Sequence, residues 1–142
     1  MKKSFLQQRG INHIELMVVI SILAIIGAIA FPAFTSQVLK GNRMDAKRVL
    51  MQIQAAYERY YNENSNTYPT VSISATYSSL SLGTAPSSNY YTFGATGGAT
   101  SYTISASASG SQTADSSCAN FYLDYLGNET ATNNAAASAT CW

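Results

Sequence analysis

After Arg59 the sequence contains no lysine and no arginine. Residues 60–142 carry only Glu63, Asp115, Asp124 and Glu129, a formal charge of −4. Phosphate binding needs cations, so a C-terminal domain built from these residues is not expected to bind DNA. The one histidine, His13, lies far upstream. The C-terminal part therefore has no imidazole or amine for a general base and no cationic clamp, and no enzyme is expected. Cysteine is limited to Cys118 and Cys141. A zinc site needs more ligands than this region holds, and Asp115, Asp124 and Glu129 are too dispersed for calcium. No metal and no cofactor is expected. The cysteine pair reads most simply as a disulfide in an exported domain. It closes a loop of about 24 residues, worth roughly 3 kcal/mol in the chain-entropy model.

What is present is a long apolar run from Ile14 to Phe34, interrupted only by Glu15, Ser21 and Pro32. It is long enough to cross a bilayer as a helix, which takes about 20 residues. Three readings fit it. In the first, a signal peptide is cut after Ala28-Ile29-Ala30, with Lys2, Lys3 and Arg9 as its basic end. In the second, the segment is an uncleaved anchor with its basic end cytoplasmic. In the third, the chain is cut after Gly10 and the apolar segment stays on the mature protein. Glu15 bears on the choice. A carboxylate at mid-bilayer costs about 3 kcal/mol, and neither a signal peptide nor a plain anchor gains from it. Cut after Gly10, the chain starts at Ile11 and Glu15 falls in the first helical turn. There it complements the helix dipole and can pair with an α-amino group, its own or a neighbour's.

Gly10, Ile11 to Leu16 and the following MVVISILAIIGAIAFPAF together resemble the N-terminus of type IV pilins. The shared pattern is a short basic leader ending in glycine, a glutamate at the fifth mature position, and a long apolar helix with proline near its end. The stretch DAKRVLMQIQAAYERYYNENSNTYP and the Cys141-Trp142 end resemble the PilE-like type IVa pilins. Ile11-Asn12-His13 departs from the family's usual Phe, Thr, Leu, and Ala24 stands where a glycine is common. The resemblance implies a leader over 1–10, cleaved by a prepilin peptidase between Gly10 and Ile11, and N-methylation at Ile11. It implies that Glu15 sets assembly register and that Pro32 marks a helix break, with extensibility between Ala24 and Pro32. It also implies an inner-membrane stage before assembly, then an extracellular pilus filament made with other pilins by the pilus assembly machinery.

The helical period continues past Phe34. Val38, Ala46, Val49, Leu50, Ile53, Ala56, Tyr57 and Tyr60 fall at spacings of three and four, one apolar stripe. Lys40, Arg43, Lys47, Arg48 and Arg59 lie largely off it and are expected to face solvent or neighbouring chains. Asp45 and Arg48 are set for an i,i+3 pair. Residues 14–61 would form a helix about 70 Å long, with Gly41-Asn42 a soft place. The segments are a hydrophobic helix over 11–36, an amphipathic half over 37–62, and a β head over 63–142.

NENSNTYP (62–69) ends the helix with turn residues. Strands are expected over 77–82, 89–95, 100–108 and 119–127, with TGGA (96–99) as a hairpin turn. The span 127–142 is expected to be a small polar loop pinned by the disulfide. Antiparallel strands with one apolar face suit the amphipathic half of the helix, so the fold class is α+β. The ten tyrosines are expected to fill the helix–sheet core and its rim.

Three functions compete. The first is a structural subunit of a type IV pilus serving adhesion, twitching motility or DNA uptake. The second is a DNA-binding competence pilin, for which only the Lys40–Arg48 cluster offers cations. The third is a pseudopilin of a type II secretion system, which shares the N-terminus; the Cys141-Trp142 end fits pili better.

Overall fold

The structure is a computed structural model describing residues 12–133, 136–137 and 141–142. Gly10 and Ile11 lie outside the described residues. The chain divides into two compact units, with the boundary between Val38 and Leu39. Helix α1, His13–Glu63, belongs to both.

In the first unit α1 opens with the side chain of Asn12 accepting from the backbone N–H of Ile14 at 3.4 Å, a long N-cap bond. Glu15 sits in the first turn. Pro32 lies inside the helix without ending it. The hydroxyls of Thr35 and Ser36 donate to the carbonyls of Pro32 and Ala33, both at 2.9 Å, so polar side chains here are satisfied on the helix's own backbone.

The second unit is built on the amphipathic half of α1. Ala46, Val49, Leu50, Ile53, Ala56 and Tyr57 are buried, which is the stripe expected from their spacing. Val38, at the N-terminal end of that stripe, is exposed instead. Gly41-Asn42 does not interrupt the helix. Asparagines at the end of α1 finish it: Asn62 and Asn64 donate side-chain N–H bonds to the carbonyls of Glu58 and Tyr60. Ser65 and Asn66 adopt left-handed backbone, and the N–H of Asn66 closes on the Tyr61 carbonyl.

The expected strand over 77–82 is not formed. Residues Ile73–Ser79 make a short helix, α2, capped by Ser72, whose hydroxyl accepts from the Ala75 N–H. The reason lies in spacing. Thr76, Tyr77 and Leu80 are the buried positions, a three- and four-residue interval rather than an alternation. The Tyr77 hydroxyl also donates to the Gln52 carbonyl at 2.9 Å, fastening α2 to α1.

The sheet is antiparallel throughout, in sequential order: β1 (Tyr91–Gly98), β2 (Ser101–Ala108), β3 (Asn120–Asp124), β4 (Glu129–Asn133) and β5 (Ala136–Ala137). The hairpin turn falls two residues later than expected, on Ala99-Thr100, because Gly97 and Gly98 stay in register with Tyr102 and Ser101. A Cβ at Gly97 would collide with the Ser101 carbonyl oxygen and the Tyr102 Cα, so glycine is needed there. The third strand stops at Asp124 rather than 127, and a turn follows. The polar span 127–142 is not simply a loop. It supplies β4, whose Ala131 is buried opposite Phe121, and the two-residue β5. Glu, Ala and Asn are depleted in strands, so the composition of this segment does not read as one.

Tyr102, Ile104 and Ala106 of β2 and Phe121 and Leu123 of β3 point to one face and meet the α1 stripe. Each large side chain buried this way contributes about 1.5–3 kcal/mol. Tyr57, Tyr68, Tyr77, Tyr91 and Tyr102 are in the core, whereas Tyr90 and Tyr125 remain at the surface. The fold is α+β, a helix on a single antiparallel sheet.

Candidate assembly interface

Among the described residues nothing covers the apolar half of α1. Between Ile14 and Phe34 its large hydrophobic side chains range from 49 % exposed at Val19 to 73 % at Phe31. Contiguous apolar surface on this scale marks an interaction or membrane surface. By length and composition this helix could cross a membrane. Glu15 is the acid of its first turn, and among the described residues no hydrogen bond or ion pair engages it. The site thus consists of a carboxylate with no partner among the described residues, at one end of a bare apolar helix. Such a surface can pack against lipid or against like helices, and its charge calls for a cation where it packs.

The basic cluster is arranged differently from the expected solvent-facing set. Arg43 grips Asp115 with two hydrogen bonds, Nε to Oδ2 at 2.6 Å and Nη2 to Oδ1 at 2.7 Å. Asp115 is only 3 % exposed. Its Oδ1 also accepts from the Cys118 N–H and its Oδ2 from Gln112 Nε2. Gln112 reaches back to α1, donating to the Leu39 carbonyl and accepting from Asn42 Nδ2. This network ties the one-turn 3-10 segment Gly110–Ala114 and the start of the disulfide loop to the helix. The hydrogen bonds to Asp115 push the guanidinium pKa of Arg43 further up. Local spacing could not reveal the pair, because its members are 72 residues apart.

Lys47 is half-buried, with its ammonium 5.4 Å from the Trp142 ring centre and 6.0 Å from that of Phe121, within reach of cation–π attraction. Burial lowers its pKa. Arg48 pairs with Asp45 at 2.8 Å, the expected i,i+3 contact, and Arg59 with Glu63 at 2.7 Å. Both are exposed pairs of small energetic weight. Lys40 alone of this set is exposed with no ionic partner among the described residues.

Cys118 and Cys141 form the disulfide, with Cα atoms 5.7 Å apart. Trp142, whose place the sequence left open, donates from Nε1 to the Thr130 carbonyl at 2.7 Å and sets its ring edge-on to Phe121 at 5.6 Å. At the other end of the sheet the Glu58 carboxylate accepts from Tyr102 (2.7 Å) and Tyr68 (3.3 Å). The Tyr57 and Tyr91 hydroxyls are buried and make no hydrogen bond of good geometry, although Thr76 and Gln112 stand near them. Among the described residues no cluster of His, Cys, Asp and Glu is placed to hold a metal ion.

Residues 32–122 match the family described as "Type IV minor pilin ComP, DNA uptake sequence receptor". The match covers well over half of the chain, and the chain belongs to this family of type IV minor pilins. Among solved structures, the chain is similar to a type IV pilin from Shewanella oneidensis, with 25 % identity over 64 % of this chain and 89 % of that one, at a TM-score of 0.49. No curated protein matches the chain.

Proposed function

We propose that the chain is a structural subunit of a type IV pilus, cut after Gly10 and built into the filament through the apolar half of α1. The observation that carries this reading is the bare apolar helix with a lone carboxylate in its first turn. Before assembly the helix anchors the chain in the inner membrane. Afterwards it lies among the helices of other pilins. There Glu15 pairs with the α-amino group of an Ile11 and sets the register, since two unpaired charges in hydrocarbon cost far more than a pair. Pro32 removes one helical hydrogen bond and lets the helix yield there. The head's disulfide holds the C-terminal strands in place.

Intact mass of the protein from membranes of cells containing a prepilin peptidase tests the reading. A mass beginning at Ile11, with or without a methyl group, is expected. A mass beginning at Phe31 means an ordinary signal peptide and sinks it, as does a mass retaining residues 1–10 in assembled filaments.

The family description favours a second reading, a receptor for DNA during uptake. The charges weigh against this chain binding DNA through its head. Residues 60–142 have no cation, Arg43 is engaged by Asp115, and Lys47 lies over two rings. Lys40 and Arg48 are the most accessible candidates. Titrating the full-length protein in detergent with duplex DNA at two salt concentrations decides the matter. Binding that weakens steeply with salt supports a receptor role, and no binding at low salt removes it.

A further inference from the structure

His13 is the one histidine of the chain, and a cut after Gly10 makes it the third residue of the mature protein, Ile11-Asn12-His13. It is exposed, and its imidazole has no hydrogen-bond or ionic partner among the described residues. Helix α1 begins at His13. The first backbone bond there runs from the Leu16 N–H to the Asn12 carbonyl at 3.2 Å, and the Ile14 N–H turns to the Asn12 side chain. The N–H groups of Asn12 and His13 thus donate to nothing among the described residues, as befits the opening donors of a helix. Both residues precede the apolar run that starts at Ile14, so with that run in a bilayer they stay within reach of dissolved ions.

Once residues 1–10 are removed, nitrogen donors follow one another along this stretch. They are the α-amine of Ile11, the amide nitrogens of Asn12 and His13, and Nδ1 of His13. Each neighbouring pair closes a small chelate ring on one metal ion, and the whole set fits a plane. Planar nitrogen donors suit Cu(II) and Ni(II), with Cu(II) the tighter. They do not suit Zn(II), which is held as a tetrahedron. The set needs an amide N–H at its second and third residues, and neither Asn12 nor His13 is proline. It needs histidine third, which the departure from Phe, Thr, Leu supplies. It also needs amides free to lose their protons. These amides carry no helical hydrogen bond, so loading breaks none.

We propose that the N-terminus left by cleavage after Gly10 is a binding site for Cu(II) and Ni(II), made of the Ile11 amine, the Asn12 and His13 amides and the His13 imidazole. The inference rests on the cleavage reading and adds a ligand to the same terminus. On binding, the ammonium and both amides release their protons to water. The two amidates cancel the charge of the divalent ion, so a neutral complex replaces a cation. An N-methylated Ile11 amine keeps its lone pair and remains a donor. The amine cannot serve the metal and Glu15 together, so a loaded subunit lacks the cation with which Glu15 pairs in the filament.

The test uses the full chain, purified in detergent without a histidine tag from cells with and without a prepilin peptidase, its N-terminus read by intact mass. Copper(II) chloride is titrated in, and binding is followed by visible absorption and electron paramagnetic resonance. The chain beginning at Ile11 is expected to take a single equivalent of Cu(II), to show the spectrum of planar nitrogen coordination, and to keep the ion against about a tenfold excess of Zn(II). The uncut chain, which has the same imidazole but no Ile11 amine, should bind Cu(II) more than about 100-fold more weakly, because losing even a group that supports a metal ligand costs up to about that much. The cut His13→Ala chain, altered at an exposed position, should do the same. A chain shown to begin at Ile11 that binds no Cu(II), or binds it no tighter than the uncut or His13→Ala chain, overturns the site and leaves the subunit reading standing. A mature mass that does not begin at Ile11 overturns both.

Discussion

Arg43 on α1 and Asp115 beside the disulfide loop meet in a two-bond ion pair across 72 residues of sequence, at 2.6 and 2.7 Å. The pair joins the helix to the segment that leads into Cys118, and Gln112 and Asn42 extend it. Its carboxylate is almost wholly out of water. Removing one partner would strand the other, and stranded buried charge is what makes such pairs costly to break.

Arg43→Ala is therefore expected to destabilise the head by about 3–5 kcal/mol. Asp115→Ala should do the same, while the double variant should lose less than the sum. Urea melts of the three proteins in detergent, followed by Trp142 fluorescence, give the comparison. Additive losses would mean that the two groups do not act as a pair.

Cys141→Ser should remove roughly 3 kcal/mol of stability. It should also loosen the Trp142 seat against Phe121 and the Thr130 carbonyl. Trp142 is the one tryptophan, so its emission reads this end alone. A red shift under conditions where far-ultraviolet circular dichroism is still native is the expected result. An unshifted emission would show that the ring is held without the bridge.

Burial raises the Tyr91 hydroxyl to about 12, and burial with the Glu58 carboxylate raises Tyr102 as well. Both folded-state values lie above the ordinary tyrosine value of about 10. Their contribution to stability is thus complete below about pH 10. It is lost as pH rises from there toward the folded values, because the unfolded chain gives up these protons first. Alkaline unfolding with a late phenolate absorbance step is expected, and Tyr102→Phe should make that step smaller. Smooth titration of all tyrosines near their ordinary value, with the fold intact, would contradict the burial argument.

Glu15→Leu should insert into the membrane at least as well as the wild type, since it removes a charge from an apolar segment. If Glu15 sets register, incorporation into filaments should nevertheless fall strongly. The readout is the ratio of sheared to membrane-bound protein. Normal incorporation would leave Glu15 with no role beyond lying at the membrane edge.

The one-dimensional pattern was sufficient for α1. A run of apolar residues and then a stripe at intervals of three and four specify a helix and the face it buries, because helical contacts are local and periodic. The same holds for β2 and β3, where Tyr102, Ile104 and Ala106 or Phe121 and Leu123 alternate. The two cysteines also predicted their own bond. Local pattern failed where the determinant was a partner elsewhere in the fold. The Ser72 cap and the spacing of Thr76, Tyr77 and Leu80 are local signals for the helix at 73–79, whereas the Tyr77 bond that seats it on α1 is not. β4 formed because β3 offered an edge to Ala131 and its neighbours. Lys40, Arg43 and Lys47 read alike in sequence, yet tertiary contact divided them: Arg43 found a buried carboxylate, Lys47 two aromatic rings, and Lys40 stays exposed. Spacing along the chain decides which face of an element is apolar. Which acid, ring or edge a side chain meets across that face is set only when the elements pack.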